Sequence, residues 1–209
     1  MSSEIISKCP YCGRELDNKP TRKKKCPHCL EYIYVRQGEL FTEKQAEECD
    51  RKSRWLNFLE RYGANESMFE TERKKLCEQF GVEASVNDTL WRLMNSLIPM
   101  QRDQINLEHL YLLMGDFAKE EGKDSTPYVQ QAMKVKEANI QREVLGFKDL
   151  GRLSVRVSVA TCNDEHVCTA CVEVSKHTYE IEKFLEEMPI PRRCESTRGC
   201  RCWINAEFN

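Results

Sequence analysis

Cysteines near both ends constrain the fold of this 209-residue chain more than any other feature, because nine of the twelve fall in two groups. The first group consists of "CPYC" at 9–12 and "CPHC" at 26–29, with thirteen residues between the two pairs. Two thiolates two residues apart can occupy neighbouring corners of a tetrahedron, and two such pairs complete a four-sulfur shell. The spacing predicts a structural zinc site with the ligands Cys9, Cys12, Cys26 and Cys29.

The alternative is a pair of redox-active dithiols, but two pairs in one short segment fit a single ion better. With its "CPYCG" and "CPHC" motifs, the segment resembles the rubredoxin-like zinc ribbon family over residues 9–36. A positive φ is favoured after each pair, which Gly13 can adopt. Leu30 stands where many ribbons repeat the glycine, so we expect backbone strain there. His28 is expected to be part of the turn and not a ligand.

The second group contains five thiols for the four positions of a tetrahedral ion. "CTAC" at 168–171 is followed, after 22 residues, by three cysteines within "CESTRGCRC". We predict a second structural zinc ion held by Cys168, Cys171, Cys194 and one of Cys200 or Cys202. Cys202 is preferred because the loop before it gives the chain room to return, with Gly199 permitting the turn.

Three alternatives remain open for this second group. The thiols could be ordinary buried cysteines, which are common in cores, or a redox switch in which neighbouring cysteines exchange disulfides. His166 or His177 could also replace one of the cysteines as a ligand. The other three cysteines, Cys49, Cys77 and Cys162, show no pairing pattern and are predicted to lie inside helices or strands.

The segment 164–202 resembles the C-terminal motif of tailed-phage minor head (head morphogenesis) proteins. Its "DEHVCTACVEVSKHTYEI" and "MPIPRRCESTRGCRC" match that motif at Asp164, Cys168, Cys171, Pro191, Cys200, Arg201 and Cys202. The resemblance implies a phage or prophage origin and a shared small zinc module. The chain departs from the family at Cys194 and "ESTRG", and it lacks the long portal-associated region expected upstream, so a capsid role does not follow.

The hydrophobic pattern predicts a mainly α fold with small β elements. We expect a zinc ribbon at 1–41, a helical bundle of four or five helices at 42–148, and a cysteine-rich α+β module at 149–209. In the bundle, "TEKQ" at 42–45 reads as a capping box, and Trp55, Phe58, Leu59 and Tyr62 share one helical face. The weakest helix assignment is 65–80, whereas the alternating "RLSVRVSV" at 152–159 is typical of a strand.

A basic run lies between the two cysteine pairs of the ribbon, although the net charge of the whole chain is only −2. Any nucleic-acid binding would therefore be local. The candidates are the residues of the "RKKK" run, which we expect at a hairpin tip: Arg22, Lys23, Lys24 and Lys25. The alternative is that these cations only offset the formal charge of Zn²⁺ with four thiolates.

The sequence also narrows the class of protein. No signal-peptide pattern begins the chain, and no apolar run approaches the ~18 residues of a membrane span, so we expect a cytoplasmic protein with no membrane partner. No P-loop, nucleotide-binding glycine motif or hydrolase motif is found, and no small-molecule cofactor is expected. We predict a zinc-binding, non-enzymatic phage-type interaction protein that contacts nucleic acid or a phage or host protein. The alternatives are a metal-dependent nuclease using Asp164 and His166, and a structural component of phage heads.

Overall fold

The computed structural model describes residues 7–148 and 155–208. About 55% of the chain is helical and the sheets are small, so the predicted mainly α class with small β elements is confirmed at that level. The chain divides into two compact units, Met1–Leu93 and Met94–Asn209. The predicted region borders after residues 41 and 148 both fall inside these units. The ribbon shares the first unit with the helices that follow it, and residue 148 lies within the second unit.

The first unit begins with two small antiparallel sheets, in which β1 pairs with β2 and β4 lies between β3 and β5. Helices follow, and the last of them continues across the border into the second unit. The elements are β1 (Ser7–Lys8), β2 (Glu15–Leu16), β3 (Lys24–Lys25), β4 (Tyr32–Arg36), β5 (Glu39–Phe41), α1 (Glu43–Leu59), α2 (Glu66–Phe80) and α3 (Val86–Leu97).

The ribbon at the start of this unit has almost no apolar core. Its buried cluster consists of Cys9, Cys26, Leu16 and Ile33, and only the last two are ordinary apolar side chains. Burying two such side chains stabilises a fold by about 3–6 kcal/mol. Ordering some thirty residues costs about 1–2 kcal/mol each in backbone entropy. The ribbon therefore needs a further source of stability.

The helices of the first unit follow the sequence pattern with one exception. The capping box is present, with Thr42 and Gln45 exchanging hydrogen bonds at the start of α1. Trp55 and Leu59 are buried as predicted, but Phe58 is 47% exposed, so its place in the core was wrongly predicted. Phe58 lies at the margin of the helical stripe, where its ring packs edge-on against Trp55 at 5.5 Å between centroids. The uncertain segment 65–80 is the helix α2, which Asn65 caps.

The second unit combines a helical hairpin with a three-stranded sheet. α4 and α5 pack against each other, and α5 also contacts the sheet and two of the short helices. The sheet is antiparallel with the order β7-β6-β8. The elements are α4 (Gln104–Glu120), α5 (Thr126–Lys148), β6 (Val155–Ala160), α6 (Thr169–Val174), β7 (Thr178–Glu180), α7 (Ile181–Glu187), α8 (Pro189–Arg192) and β8 (Trp203–Phe208).

The predicted strand at 152–159 is observed as β6, whose three valines alternate with half-buried residues; its first predicted residues lie outside the described part of the chain. In the segment "TYEIEKFLEEM", the first three residues form β7, which pairs with β6 before α7 begins. The core around Val157, Phe184 and Ile190 extends to Cys171, Cys200 and Cys202. Among the described residues, no helix has the length and apolar character needed to cross a membrane.

Candidate metal centres

Four sulfur atoms of the ribbon surround a common centre. The Sγ atoms of Cys9, Cys12, Cys26 and Cys29 all lie within 4.8 Å of one another. Cys9 and Cys29 are 3.8 Å apart, and Cys12 and Cys26 are 3.9 Å apart. A tetrahedral ion with metal–sulfur bonds of roughly 2.3 Å requires sulfur–sulfur edges of about 3.8 Å. These four residues, which we call the first cluster, are thus placed where one metal ion could bind all of them.

Two turns of the same form build the first cluster. The backbone N–H of Gly13 donates to the carbonyl of Cys9 at 2.9 Å, and that of Leu30 donates to the carbonyl of Cys26 at 3.1 Å. The φ angles of Gly13 and Leu30 are 69° and 66°, which a residue with a Cβ adopts only with strain. The N–H of His28 donates to the Cys26 sulfur at 3.4 Å, so His28 belongs to the turn and is not part of the sulfur group.

The thiols of the first cluster differ in how readily they ionise. Burial raises the pKa of Cys26, but hydrogen bonds from the backbone N–H groups of Cys29 and His28 and from neighbouring thiols outweigh it and lower the pKa to about 6. The N–H of Glu31 lowers the pKa of Cys29, yet burial and three neighbouring thiols raise it to about 12. Cys26 is therefore a thiolate near neutral pH before an ion arrives, and binding of the ion would displace the remaining protons.

Leu30 yields a prediction about the stability of the ribbon. Its side chain is 63% exposed, so it contributes little packing, while its positive φ costs about 1–2 kcal/mol. Because glycine loses about 0.5–1 kcal/mol more backbone entropy on folding, Leu30→Gly should stabilise the metal-bound ribbon by up to about 1 kcal/mol. The guanidinium concentration at which the bound metal ion is released, followed with a chromogenic chelator, should rise.

Gly13→Leu is the matched control, because it places the same side chain at the equivalent turn, where the φ is 69° and nothing lies within 4 Å of an added Cβ. It should lower the release midpoint by introducing the strain that Leu30 already carries. A lower midpoint for Leu30→Gly would contradict the assignment of strain to this turn.

Five sulfur atoms meet in the second unit, and we call their residues the second cluster. Two groups can be drawn in which all sulfurs lie within 4.8 Å of one another: Cys168, Cys171 and Cys194, and Cys171, Cys200 and Cys202. Cys171 belongs to both. The Cys168–Cys194 distance of 3.8 Å and the Cys171–Cys200 distance of 4.0 Å match the tetrahedral edge of about 3.8 Å. All five predicted ligands are therefore together, and the cluster could hold a metal ion.

Three separate segments supply the sulfurs of the second cluster. Cys168 is the N-cap of α6 and Cys171 lies within its first turn. Cys194 follows α8, where its N–H donates to a carbonyl of that turn at 2.9 Å. Cys200 and Cys202 lie on the short segment that leads into β8. The cluster therefore joins α6 to the end of the sheet.

The turn before Cys200 requires glycine, as the sequence predicted. Gly199 has a φ of 88°, in the region that other residues rarely adopt. A Cβ at this position would lie 2.8 Å from the terminal methyl of Met133 and 3.1 Å from a methyl of Leu112. Any other residue here would therefore adopt a strained backbone and would have to push aside the flexible end of Met133.

An ion pair holds the segment that carries the last two cysteines. The guanidinium of Arg201 binds both oxygens of Asp164, at 2.5 and 2.9 Å, and this pairing lowers the pKa of the carboxyl. Alternate residues of an extended chain point to opposite sides. Arg201 can therefore face Asp164 while Cys200 and Cys202, on either side of it, face the other sulfurs.

The thiols of the second cluster are unfavourable places for charge unless an ion is bound. Burial, followed by the neighbouring Cys200 thiol, raises the pKa of Cys171. A hydrogen bond with Cys200, followed by burial, raises the pKa of Cys194. Binding of a metal ion must therefore release protons here, so its occupancy falls as the pH is lowered.

The remaining candidate ligands lie apart from the clusters. Cys49 and Cys77 lie in α1 and α2 and are half-buried, whereas Cys162 is exposed in the loop after β6. The prediction that Cys162 lies inside an element was therefore wrong. The side chains of His166 and His177 are about 60% and 59% exposed, and neither belongs to a sulfur group found among the described residues.

The basic run is arranged differently from the predicted hairpin tip. Lys24 and Lys25 form β3, which pairs with β4, so they lie along a sheet and not at its turn. The Lys23 ammonium lies 4.3 Å from the ring centroid of Tyr34 and 4.9 Å from that of Tyr32. It also donates to the Tyr34 hydroxyl at 2.9 Å, which raises the pKa of Lys23. Lys23 thus stabilises β4 through these contacts, and its ammonium is less available to bind a ligand.

The other cations of the run border an open groove of about 510 Å³, lined by residues 18–25 and Tyr32. Arg22, Lys24 and Lys25 are exposed, and no ion pair involves them among the residues that the structure describes. Tyr32 is 50% exposed, and the sequence analysis did not single it out. The pattern that could have identified Tyr32 is the alternating "YIY" of β4, because it places both tyrosines on the face opposite Ile33.

Comparison with family models, with curated proteins and with solved structures gave no match for this chain. The likeness of its two cysteine-rich ends to zinc ribbons and to phage minor head proteins is therefore a matter of motif residues alone. The function of the chain is therefore inferred from the two clusters and from the basic groove.

Proposed function

We propose that this chain is a zinc-binding protein in which two structural ions fold the ribbon and brace the second unit. The observation that carries the proposal is the first cluster, whose sulfur–sulfur distances of 3.8 and 3.9 Å fit one tetrahedral ion. Shells made only of thiolates select zinc or iron, and elemental analysis of the purified chain distinguishes the two. A closed shell of four protein ligands leaves no position for substrate, which favours a structural role over a catalytic one.

We also propose that the groove beside β3 binds nucleic acid. Arg22, Lys24 and Lys25 offer three exposed cations for phosphates, and these contacts would supply most of the affinity. Tyr32 lies at the edge of the same groove with half of its side chain exposed, so a base could stack on its ring. Cations interleaved with an exposed aromatic ring suit single strands, because every base offers a face for stacking.

The test is a binding titration with a single-stranded oligonucleotide and with its duplex, each at several salt concentrations. The variant Arg22→Gln/Lys24→Gln/Lys25→Gln should bind the single strand at least about tenfold more weakly at low salt. Its plot of log affinity against log salt should be less steep by about 2, because each phosphate contact with a single strand contributes about 0.7. Lys23 is left unchanged because its contacts with Tyr34 stabilise the ribbon.

A matched control removes three charges elsewhere, at the exposed Lys74, Lys176 and Lys183. Lys74→Gln/Lys176→Gln/Lys183→Gln changes the net charge equally and should leave the binding nearly unaltered. An equal loss in both variants would mean that only the total charge matters. No binding by the unaltered chain at low salt would refute this part of the proposal.

The structure supports the two alternative functions, a nuclease and a component of phage heads, to different degrees. The nuclease hypothesis is not proposed, because Arg201 already occupies both oxygens of the Asp164 carboxylate. A role in phage head assembly has one observation in its favour, since Asp164 and Arg201 both occupy positions of the minor head motif and bind each other next to the second cluster. Co-purification with a capsid or portal protein would support that role.

A further inference from the structure

We propose that Cys200 and Cys202 serve as interchangeable fourth ligands of one ion in the second cluster, with Cys168, Cys171 and Cys194 as the constant three. The observation behind this is the pair of overlapping sulfur groups, in which Cys171 is shared. Neither group holds four sulfurs, so Cys200 or Cys202 completes the shell of the constant three only after its side chain rotates toward them. The first cluster differs, because its four sulfurs form one group with none to spare. This inference rests on the proposal that the second cluster binds zinc.

Several contacts favour Cys200 as the fourth ligand. Its sulfur lies 4.0 Å from that of Cys171, close to a tetrahedral edge. Its position is also fixed, because its backbone N–H donates to the sulfur of Met133 at 3.1 Å and its side chain is only 2% exposed. In this arrangement the ion is bound by both cysteines of α6, by Cys194 and by Cys200.

Other contacts favour Cys202 equally well. Its side chain lines the same small cavity as Cys168, Cys171 and Cys194, which is where an ion bound to those three would lie. Cys202 is only 3% exposed, and its thiol hydrogen-bonds with Cys171. Cys202 is therefore a second buried thiol beside the sulfurs that would hold the ion.

The backbone permits both arrangements without a large movement. Cys200 and Cys202 are two residues apart, and their sulfurs lie within 4.8 Å of each other and of that of Cys171. Arg201 between them is held to Asp164 at two oxygens, which keeps the segment in place while side chains rotate. The ion would thus keep four sulfurs in either state, and loss of one of the two thiols would leave a complete shell.

Metal binding by three variants of the full chain tests this inference: Cys200→Ser, Cys202→Ser and the double variant. Each single variant should retain two ions per chain and lose less than about tenfold in affinity at the second site. The double variant should lose at least about a hundredfold, because each thiolate supplies roughly a quarter of the binding free energy of a four-sulfur site. Cobalt(II) in place of zinc gives a second readout, since its sulfur charge-transfer absorption grows with the number of thiolates bound.

The absorption should be unchanged in both single variants and smaller in the double variant. Cys49→Ser is the matched control, because this thiol lies in α1 and belongs to neither group of the second cluster. Alanine versions of the same three variants show whether a buried serine, and not loss of the ligand, is responsible for any change.

A hundredfold loss in only one single variant would identify a fixed fourth ligand and overturn the inference. Tight binding by the double variant would do so as well, because neither thiol would then be a ligand. If the unaltered chain held a single ion that Cys9→Ser removed, the zinc assignment of the second cluster itself would fail, and this inference with it.

Discussion

Cys9→Ser should reduce the zinc content from two ions per chain to one and leave the ribbon unfolded. Its sulfur is one corner of the first cluster, 3.8 Å from that of Cys29, and no spare thiol joins that group of four. The apolar core of the ribbon amounts to Leu16 and Ile33, which stabilise it by about 3–6 kcal/mol. The free energy of zinc binding, about 10–16 kcal/mol, exceeds that of the apolar core. Loss of the ion should therefore unfold the segment.

Two measurements check this result. Elemental analysis gives the number of ions per chain, and the amide proton spectrum of residues 7–36 should collapse toward values typical of unfolded chains. Cys162→Ser, which removes an exposed thiol, should keep two ions and a dispersed spectrum. A ribbon that keeps its dispersed spectrum after Cys9→Ser and without an ion would contradict the role assigned to the metal.

Cys171→Ser should remove the other ion and destabilise the second unit by at least about 3 kcal/mol, the share of one thiolate in a four-sulfur site. Cys171 is the member common to both sulfur groups, so without it the other four thiols form two pairs that share no member. Its side chain is also 1% exposed and packs in the main core of the unit. A serine hydroxyl there would be buried where an apolar sulfur had been.

The difference between Cys171→Ser and the single variants at Cys200 and Cys202 is the informative comparison. Thermal unfolding of the second unit, together with ions bound per chain, should separate the shared ligand from the exchangeable ones. Retention of both ions by Cys171→Ser would show that the centre is not built around this residue.

The first cluster could be predicted from the sequence because its information is local. Each pair of cysteines forms one turn, and the spacing of a turn is visible in four or five consecutive letters. The strain at Leu30 was foreseeable for the same reason, since the position after a pair favours a positive φ, here 66°. The capping box of α1 is another local feature, contained in Thr42 to Gln45.

Features that depend on which segments meet in space could not be predicted. The position of Lys23 over Tyr34 follows from the pairing of β3 with β4, and the pair formed by Arg201 and Asp164 joins residues 37 apart in the chain. The fourth ligand of the second cluster stayed ambiguous because Cys200 and Cys202 are only two residues apart. The exposure of Phe58 was not foreseen because the spacing of apolar residues identifies a helical face but not which residues lie at its edge.

The second cluster is continuous with a large apolar core, whereas the first is nearly the whole core of its ribbon. Cys171, Cys200 and Cys202 pack with Val157 and Phe184, and protonated thiols are accepted in such surroundings as small apolar groups. A chain synthesised during metal starvation would therefore keep a compact carboxyl-terminal half, while its amino-terminal segment would be open to proteases.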